Sequence, residues 1–355
     1  MAGRILMVLA TTVFGLPFAA DAVAVDPCGT AFTESFLEEL DAEFGHLAIT
    51  AAVHDTRTGC EMHLAPELRL TTASAIKLHL LGATLERHEE RSGALTATDL
   101  ARAERMIHYS HNSPPTSELY VLAGVSGMDA YGAAAGAPGI DHTPIYGITR
   151  ASAAELNQVA LATLHDDAPG SLTTASRAAA REIVAGVHHS QQWGISAAAA
   201  DGWQALAKNG FYPCASQNCA PFAGVRTWRI ASTGVLMSPD GDGVAISILT
   251  DGASTQQDGI DALEHVARAI GVELFGDLAT DRPVDDASCT TVVSGDTPTS
   301  IVNRLGLPAP EWADVRWVSG NEGPLIGQLM CAPQPLAATA ACICPTRPIR
   351  SGPVQ

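Results

Sequence analysis

The sequence holds a serine and a lysine three residues apart, Ser74-Ala75-Ile76-Lys77. The apolar residues that follow, Leu78, Leu80, Leu81 and Leu85, predict a buried helix that begins near Ser74. Residues at i and i+3 share a helix face, which puts the Lys77 amine beside the Ser74 hydroxyl. A hydroxyl is a weak nucleophile and needs a base. A desolvated lysine can serve as that base, because burial lowers its pKa. The partial positive charge of a helix N-terminus then favours an oxyanion. By itself the spacing is a weak signal and more often marks a helix cap followed by a solvated lysine. It is joined by Ser110-His111-Asn112 after a predicted helix and by Lys208-Asn209-Gly210 at the end of a predicted strand. A second hydroxyl, a carboxamide, a second amine and a residue without a side chain thus accompany the serine in a fixed order.

The elements that position these groups are legible from periodicity. Phe32, Phe36, Leu37, Leu40 and Phe44 recur at helical spacing and predict a helix over 31–44. Leu47 to His54, a turn at Asp55 to Gly59, and Cys60 to Leu64 read as a hairpin. The Ala-rich middle predicts helices near 75–89, 98–109, 152–165 and 174–187, with Thr96/Asp99 and Ser152/Glu155 at capping-box spacing. Strands are expected at Trp203 to Lys208, Arg226 to Met237 and Gly243 to Thr250. A last helix carries Ile260, Leu263, Val266, Ala267 and Ile270 on one side. Strands at both ends of a helical middle must come together in one sheet, leaving the helices as a second lobe across a cleft.

Set on these elements, the three motifs resemble the S-x-x-K, S-x-N and K-T-G set of the penicillin-recognising serine hydrolases, those of the class A β-lactamase kind. The flanks agree: Leu70-Thr71-Thr72-Ala73 before Ser74, Met106-Ile107 before Ser110, and Arg229 to Val235 with Ile246 to Thr250 as the last two strands. The resemblance covers residues 30–275. It implies an α/β (α+β) fold, an antiparallel five-stranded sheet flanked by helices plus a helical lobe. It also implies roles. Ser74 is the acylated nucleophile and Lys77 its base. Ser110 relays protons, and Asn112 holds the substrate amide. Lys208 anchors the substrate carboxylate with Asn209 beside it, and Gly210 lets substrate approach the strand edge. The Ser74 N–H supplies one oxyanion donor. Ser232 or Thr233 assists with the carboxylate or is a plain strand residue. The implied ligand is a β-lactam or a D-alanyl peptide, with no cofactor.

Three departures bear on the activity. His111 stands where acidic or polar residues are usual, and Asn209 stands where the family has a hydroxyl. Tyr131 to Thr149, where class A β-lactamases carry the glutamate that activates the deacylating water, holds no Glu; its sole acid is Asp141. Glu155 just beyond reads as a helix cap. Deacylation is expected to be slow, which favours a peptidase on D-alanyl peptides over a β-lactamase. A third alternative is a catalytically dead wall-binding protein. His108 and His111 form H-x-x-H without an acidic third ligand, His188 and His189 diverge, and no metal site is expected.

A second module follows a linker over 278–287. Thr291-Val292-Val293-Ser294-Gly295-Asp296-Thr297, then Ser300-Ile301-Val302, Leu305-Gly306, Asn321 and Ile326-Gly327-Gln328-Leu329 resemble a LysM domain. That resemblance implies a βααβ fold over 288–333 and peptidoglycan, or another N-acetylglucosamine glycan, as partner. The groove would form near Gly295, Asp296, Thr297 and Asn321. The implied strand pairing brings Cys289 beside Cys331, so a disulfide is natural there. Of the other cysteines, Cys28–Cys60 would tie the N-terminus to the first hairpin. Cys214–Cys219 would stiffen a loop at the cleft edge.

Arg4, the apolar run Ile5 to Ala20 and Ala22-Val23-Ala24 predict a signal peptide over 1–24. The hydrolase domain then spans 25–277, and a Pro- and Ala-rich disordered tail covers 334–355. The expected location is secreted or cell-wall associated, with no membrane partner after signal cleavage. Hydrophobic residues make up 46% and charged residues 16% of the 355, a globular composition. A net charge of −18 without a basic block argues against nucleic acid.

Overall fold

A computed structural model describes residues 28–91, 93–214, 227–276, 289–291 and 329–331. Helix α1 (Glu34–Phe44) starts at Thr33, whose hydroxyl accepts from the Phe36 N–H. The hairpin β1 (Ala48–Asp55) and β2 (Cys60–Leu64) follows. The short β3 (Leu70–Thr71) then delivers a 3-10 turn, Ala73–Ile76, that runs into α2 (Lys77–Glu89). Next come α3 (Ala97–His108), capped by Thr96, and α4 (Pro115–Ala134). The two-residue β4 (Arg150–Ala151) pairs with β3. Helix α5 (Ala153–Leu164) opens on the expected Ser152/Glu155 capping box, and α6 (Thr174–Ala185) on Thr173. The chain then returns to the sheet as β5 (Gln204–Cys214), β6 (Thr227–Met237) and β7 (Gly243–Ala253), and the domain closes with α7 (Gln256–Phe275).

These strands form one antiparallel sheet in the order β2-β1-β7-β6-β5. The N-terminal hairpin joins the late strands through β1 and β7, as the strand placement in the sequence requires. Strand alternation gives the sheet two apolar faces. Leu206, Ala231, Val235, Ala245 and Leu249 pack with the helical lobe, including Leu78, Leu81, Met106, Leu119 and Leu156. Trp228, Ile230, Ile246 and Ile248 pack on the other side with Leu40 and Phe44 of α1 and Leu263, Val266 and Ile270 of α7. Among the described residues no helix is long and apolar enough to cross a membrane.

Two elements differ from expectation. α4 is absent from the sequence reading: its apolar residues ring the helix without a stripe, and Gly124 interrupts it at φ 71°. β5 continues past Lys208 to Cys214, although Gly210 and Pro213 read as strand breakers. Pro lacks a donor, and an edge strand tolerates it.

Cys28 and Cys60 form a disulfide with Cα atoms 5.2 Å apart. Cys219 lies outside the described residues, as do the predicted signal peptide, linker and tail. Of the expected second module, β8 (Cys289–Thr291) and β9 (Leu329–Cys331) are described. They pair antiparallel with Cys289 opposite Cys331. Gly295, Asp296, Thr297 and Asn321 lie outside the described residues.

Candidate active site

The three motifs meet where the 3-10 turn leading into α2, the segment between α3 and α4, and the edge strand β5 converge. Ser74 sits half-buried in the 3-10 turn. The residue before it, Ala73, has φ 46°, and Ser110 has φ 56°. Both are left-handed, a conformation costly to residues with a side chain and concentrated at functional positions. Gly210 of β5 lies against the turn. A Cβ built on it would fall 2.5 Å from the Ser74 nitrogen and 2.4 Å from the Ala75 nitrogen. Only glycine lets the strand edge come this close to the peptide that carries the nucleophile. Because β5 is an edge strand of the described sheet, half of its N–H and C=O groups face away from the sheet.

The lysine amines converge on Ser110. Lys77 Nζ donates to the Ser110 carbonyl at 2.6 Å and to Asn112 Oδ1 at 2.8 Å, and it lies 3.2 Å from Ser110 Oγ. Lys208 Nζ lies 3.2 Å from the same hydroxyl and donates to its neighbour's carbonyl, Asn209 O, at 2.7 Å. Lys77, Ser110 and Lys208 are all buried. Neither amine forms an ion pair with a carboxylate of the described residues. Burial, reinforced by the nearby Lys208 charge, holds the Lys77 amine well below the ordinary lysine range. Burial alone brings Lys208 down to about 7. Around the Lys77 amine stand three acceptor-only oxygens, of Ser110, Asn112 and His111, and one hydroxyl, that of Ser110.

The site differs from the sequence reading in two respects. The Lys77 amine was expected beside the Ser74 hydroxyl, yet none of its hydrogen bonds goes to Ser74; they go to Ser110, Asn112 and, at 3.4 Å, the His111 carbonyl. Asn209 was expected to contact substrate, but its side chain is buried on the opposite face of the sheet. Both of its amide hydrogens are committed, to Gln191 O at 2.7 Å and Trp193 O at 2.8 Å. The cause is strand alternation: with Lys208 facing the helical lobe, its neighbour must face α7. Ser232, paired with Asn209 in the register, turns the same way and accepts from the Ile195 N–H at 3.1 Å. Thr233, paired with Lys208, is buried against Ser247 Oγ at 2.7 Å.

Glu155 is held by structure. Its Oε2 accepts from Arg69 at 2.7 Å and from the Ser152 N–H at 2.9 Å. His108 turns its ring to the Ile183 carbonyl at 2.7 Å, and the described residues hold no group of three His, Cys, Asp or Glu side chains placed to hold a metal. The sequence reading missed Tyr146. It lies in the segment that carries no glutamate, and its phenol donates to Asn112 Oδ1 at 3.0 Å. Its ring centroid is 5.8 Å from Lys77 Nζ.

No protein-family model matches this sequence, and no curated protein matches it. Solved structures do. A mutant of PBP-A, an acyl-enzyme complex with penicillin G, aligns at TM-score 0.53 and 14% identity over 70% of this chain and 98% of that chain. The class A β-lactamase of Mycobacterium abscessus aligns at TM-score 0.53 and 18% identity over 68% of this chain and 98% of that one. The extended-spectrum β-lactamase TLA-3 aligns at TM-score 0.56 and 12% identity over 68% and 99%. The described domain therefore has the penicillin-recognising serine hydrolase fold shared by class A β-lactamases and PBP-A.

Proposed function

We propose that this protein is an acyl-serine hydrolase acting on D-alanyl peptides of peptidoglycan or related amides, with Ser74 as nucleophile. The observation that carries this reading is the Ser110 hydroxyl, 3.2 Å from each of two buried lysines, one of them held far below its ordinary pKa. A neutral amine in this position can take a proton at physiological pH. Ser74 Oγ adds to the substrate carbonyl carbon, and its proton passes to Lys77. The Ser74 N–H beside Gly210 donates to the oxyanion. The C–N bond breaks as the leaving nitrogen takes a proton through Ser110, which Lys77 resupplies. An ester on Ser74 remains, and water cleaves it to the free acid. The structural neighbour captured as a penicillin G acyl-enzyme supports this assignment by analogy of fold. With Glu155 bound to Arg69 and the Ser152 cap, and no glutamate within 131–149, the segment offers no glutamate to the ester-cleaving water, which favours a long-lived acyl-enzyme.

The same reading places the protein outside the cell, tethered by the LysM-like segment to N-acetylglucosamine glycan. Its supports are the N-terminal apolar run, the Cys28–Cys60 disulfide and the pairing of β8 with β9. The test is intact-mass analysis of the mature protein after incubation with a penicillin. The expected result is an adduct of one penicillin that persists for many minutes and is missing in Ser74→Ala. Fast turnover without a lasting adduct would instead make it a β-lactamase with another deacylation base. Neither adduct nor turnover would leave a wall-binding protein.

A further inference from the structure

Resting on that reading of the site, we infer that Tyr146 is a positioning residue: its phenol fixes the Asn112 carboxamide so that the site selects substrates with an amide carbonyl next to the scissile bond. Asn112 Oδ1 accepts from two donors, Tyr146 OH at 3.0 Å and Lys77 Nζ at 2.8 Å. Turned over, the carboxamide would set its NH2 against the Lys77 amine and leave the Tyr146 phenol without its acceptor. The held orientation leaves the NH2 as a donor for an acceptor on the ligand. A carbonyl is the amide group that fits a donor of this kind.

The phenol can do this because the segment that carries it is tied down along its length. At one end Asp141 and Arg150 pair through their backbones at 2.9 Å. His142 bonds Asp129 at 2.7 Å through Nδ1 and lies 3.4 Å from His79 of α2 through Nε2. The Tyr120 hydroxyl donates to the Thr143 carbonyl, and the Tyr120 and Tyr146 rings pack 5.6 Å apart. At the far end the Thr149 carbonyl accepts from Thr72 N at 2.9 Å and Thr72 Oγ1 at 3.1 Å, two residues before the nucleophile. Burial pushes the phenol up to about 12, so it stays a donor across the working pH range. Tyr146 also brings its ring, rather than a carboxylate, from this segment to the flank of Lys77.

Tyr146→Phe keeps the ring and removes the hydroxyl. Acylation rates of parent and variant are compared for benzylpenicillin, which has an acylamido side chain, and for 6-aminopenicillanic acid, the same bicycle without it. The ratio of the first rate to the second should fall about fivefold to tenfold in the variant, the loss of one oriented hydrogen bond. An unchanged ratio overturns the inference. A second readout needs no substrate: the Asn112 side-chain NH2 resonances, identified by their loss in Asn112→Asp, should shift in Tyr146→Phe. If they stay in place, the positioning contact is refuted. If neither penicillin acylates the parent protein, the hydrolase reading fails, and the resonance alone decides whether Tyr146 positions Asn112.

Discussion

Lys208 is buried with a serine hydroxyl and one carbonyl as its hydrogen-bond partners. A charge so placed is costly, and the cost depends on pH. The unfolded chain keeps the lysine proton up to the ordinary range near 10.5, whereas the folded chain releases it at about 7. Between those values the unfolded state holds more protons, so stability rises with pH. Urea midpoints at pH 7 and pH 9.5 should show the parent gaining stability, and Lys208→Met should gain less, keeping the part that the buried Lys77 contributes. An equal rise in both proteins would put Lys208 in a more solvated place. Ser74, Lys77, Ser110 and Lys208 were legible because polar residues recur in apolar settings at family spacing. The face of Asn209 was legible too, since neighbours in a strand point apart, but the family pattern masked it. Tyr146 left no local sign: its partner Asn112 is distant in sequence, and only the folded segment joins them.

Among the elements, β6 and β7 hold a buried ion pair, Arg229 Nε to Asp251 Oδ2 at 2.9 Å. Burial pushes the Asp251 carboxyl up to about 6 against the pull of the guanidinium, so its desolvation outweighs the attraction of its partner. Such a pair contributes little by existing and costs much when broken. Asp251→Ala should lower stability by about 3–5 kcal/mol, because it takes the carboxylate away from a buried guanidinium. Arg229→Met with Asp251→Leu should recover most of the loss, both read by urea denaturation. If the single variant is as stable as the parent, the pair is not buried in solution. The helices with side-chain caps, α3, α5 and α6, were readable almost to their ends. α4 was not: Val121 is 83% exposed while Leu119 and Tyr120 beside it are buried, so hydrophobicity there does not mark a face. β5 was readable to Lys208 and hidden beyond it, since Gly210 serves a close approach and Pro213 is tolerated on an edge strand, neither ending it.

Over the whole molecule, every group placed at the site comes, among the described residues, from the sheet and the helical lobe. Acylation should therefore be independent of the tether proposed at 288–333. Deleting 288–333 should leave the rate of adduct formation at Ser74 unchanged and abolish retention of the protein on peptidoglycan sacculi, measured by co-sedimentation. Retention that survives the deletion would move the wall contact to the hydrolase domain. The two-lobe architecture followed from strands lying at both ends of a helical middle. What the sequence could not give was the way the 141–149 segment is fastened, because each fastening is a contact between distant residues. The strand order has a consequence for how the chain is made. β1 lies second in the sheet and needs β7, about 200 residues later, before its open side is paired, a highly non-local contact. The early hairpin alone cannot close the sheet. A chain threaded N-terminus first through a narrow pore thus stays unlatched for most of its length, and it locks when the last strand has come through.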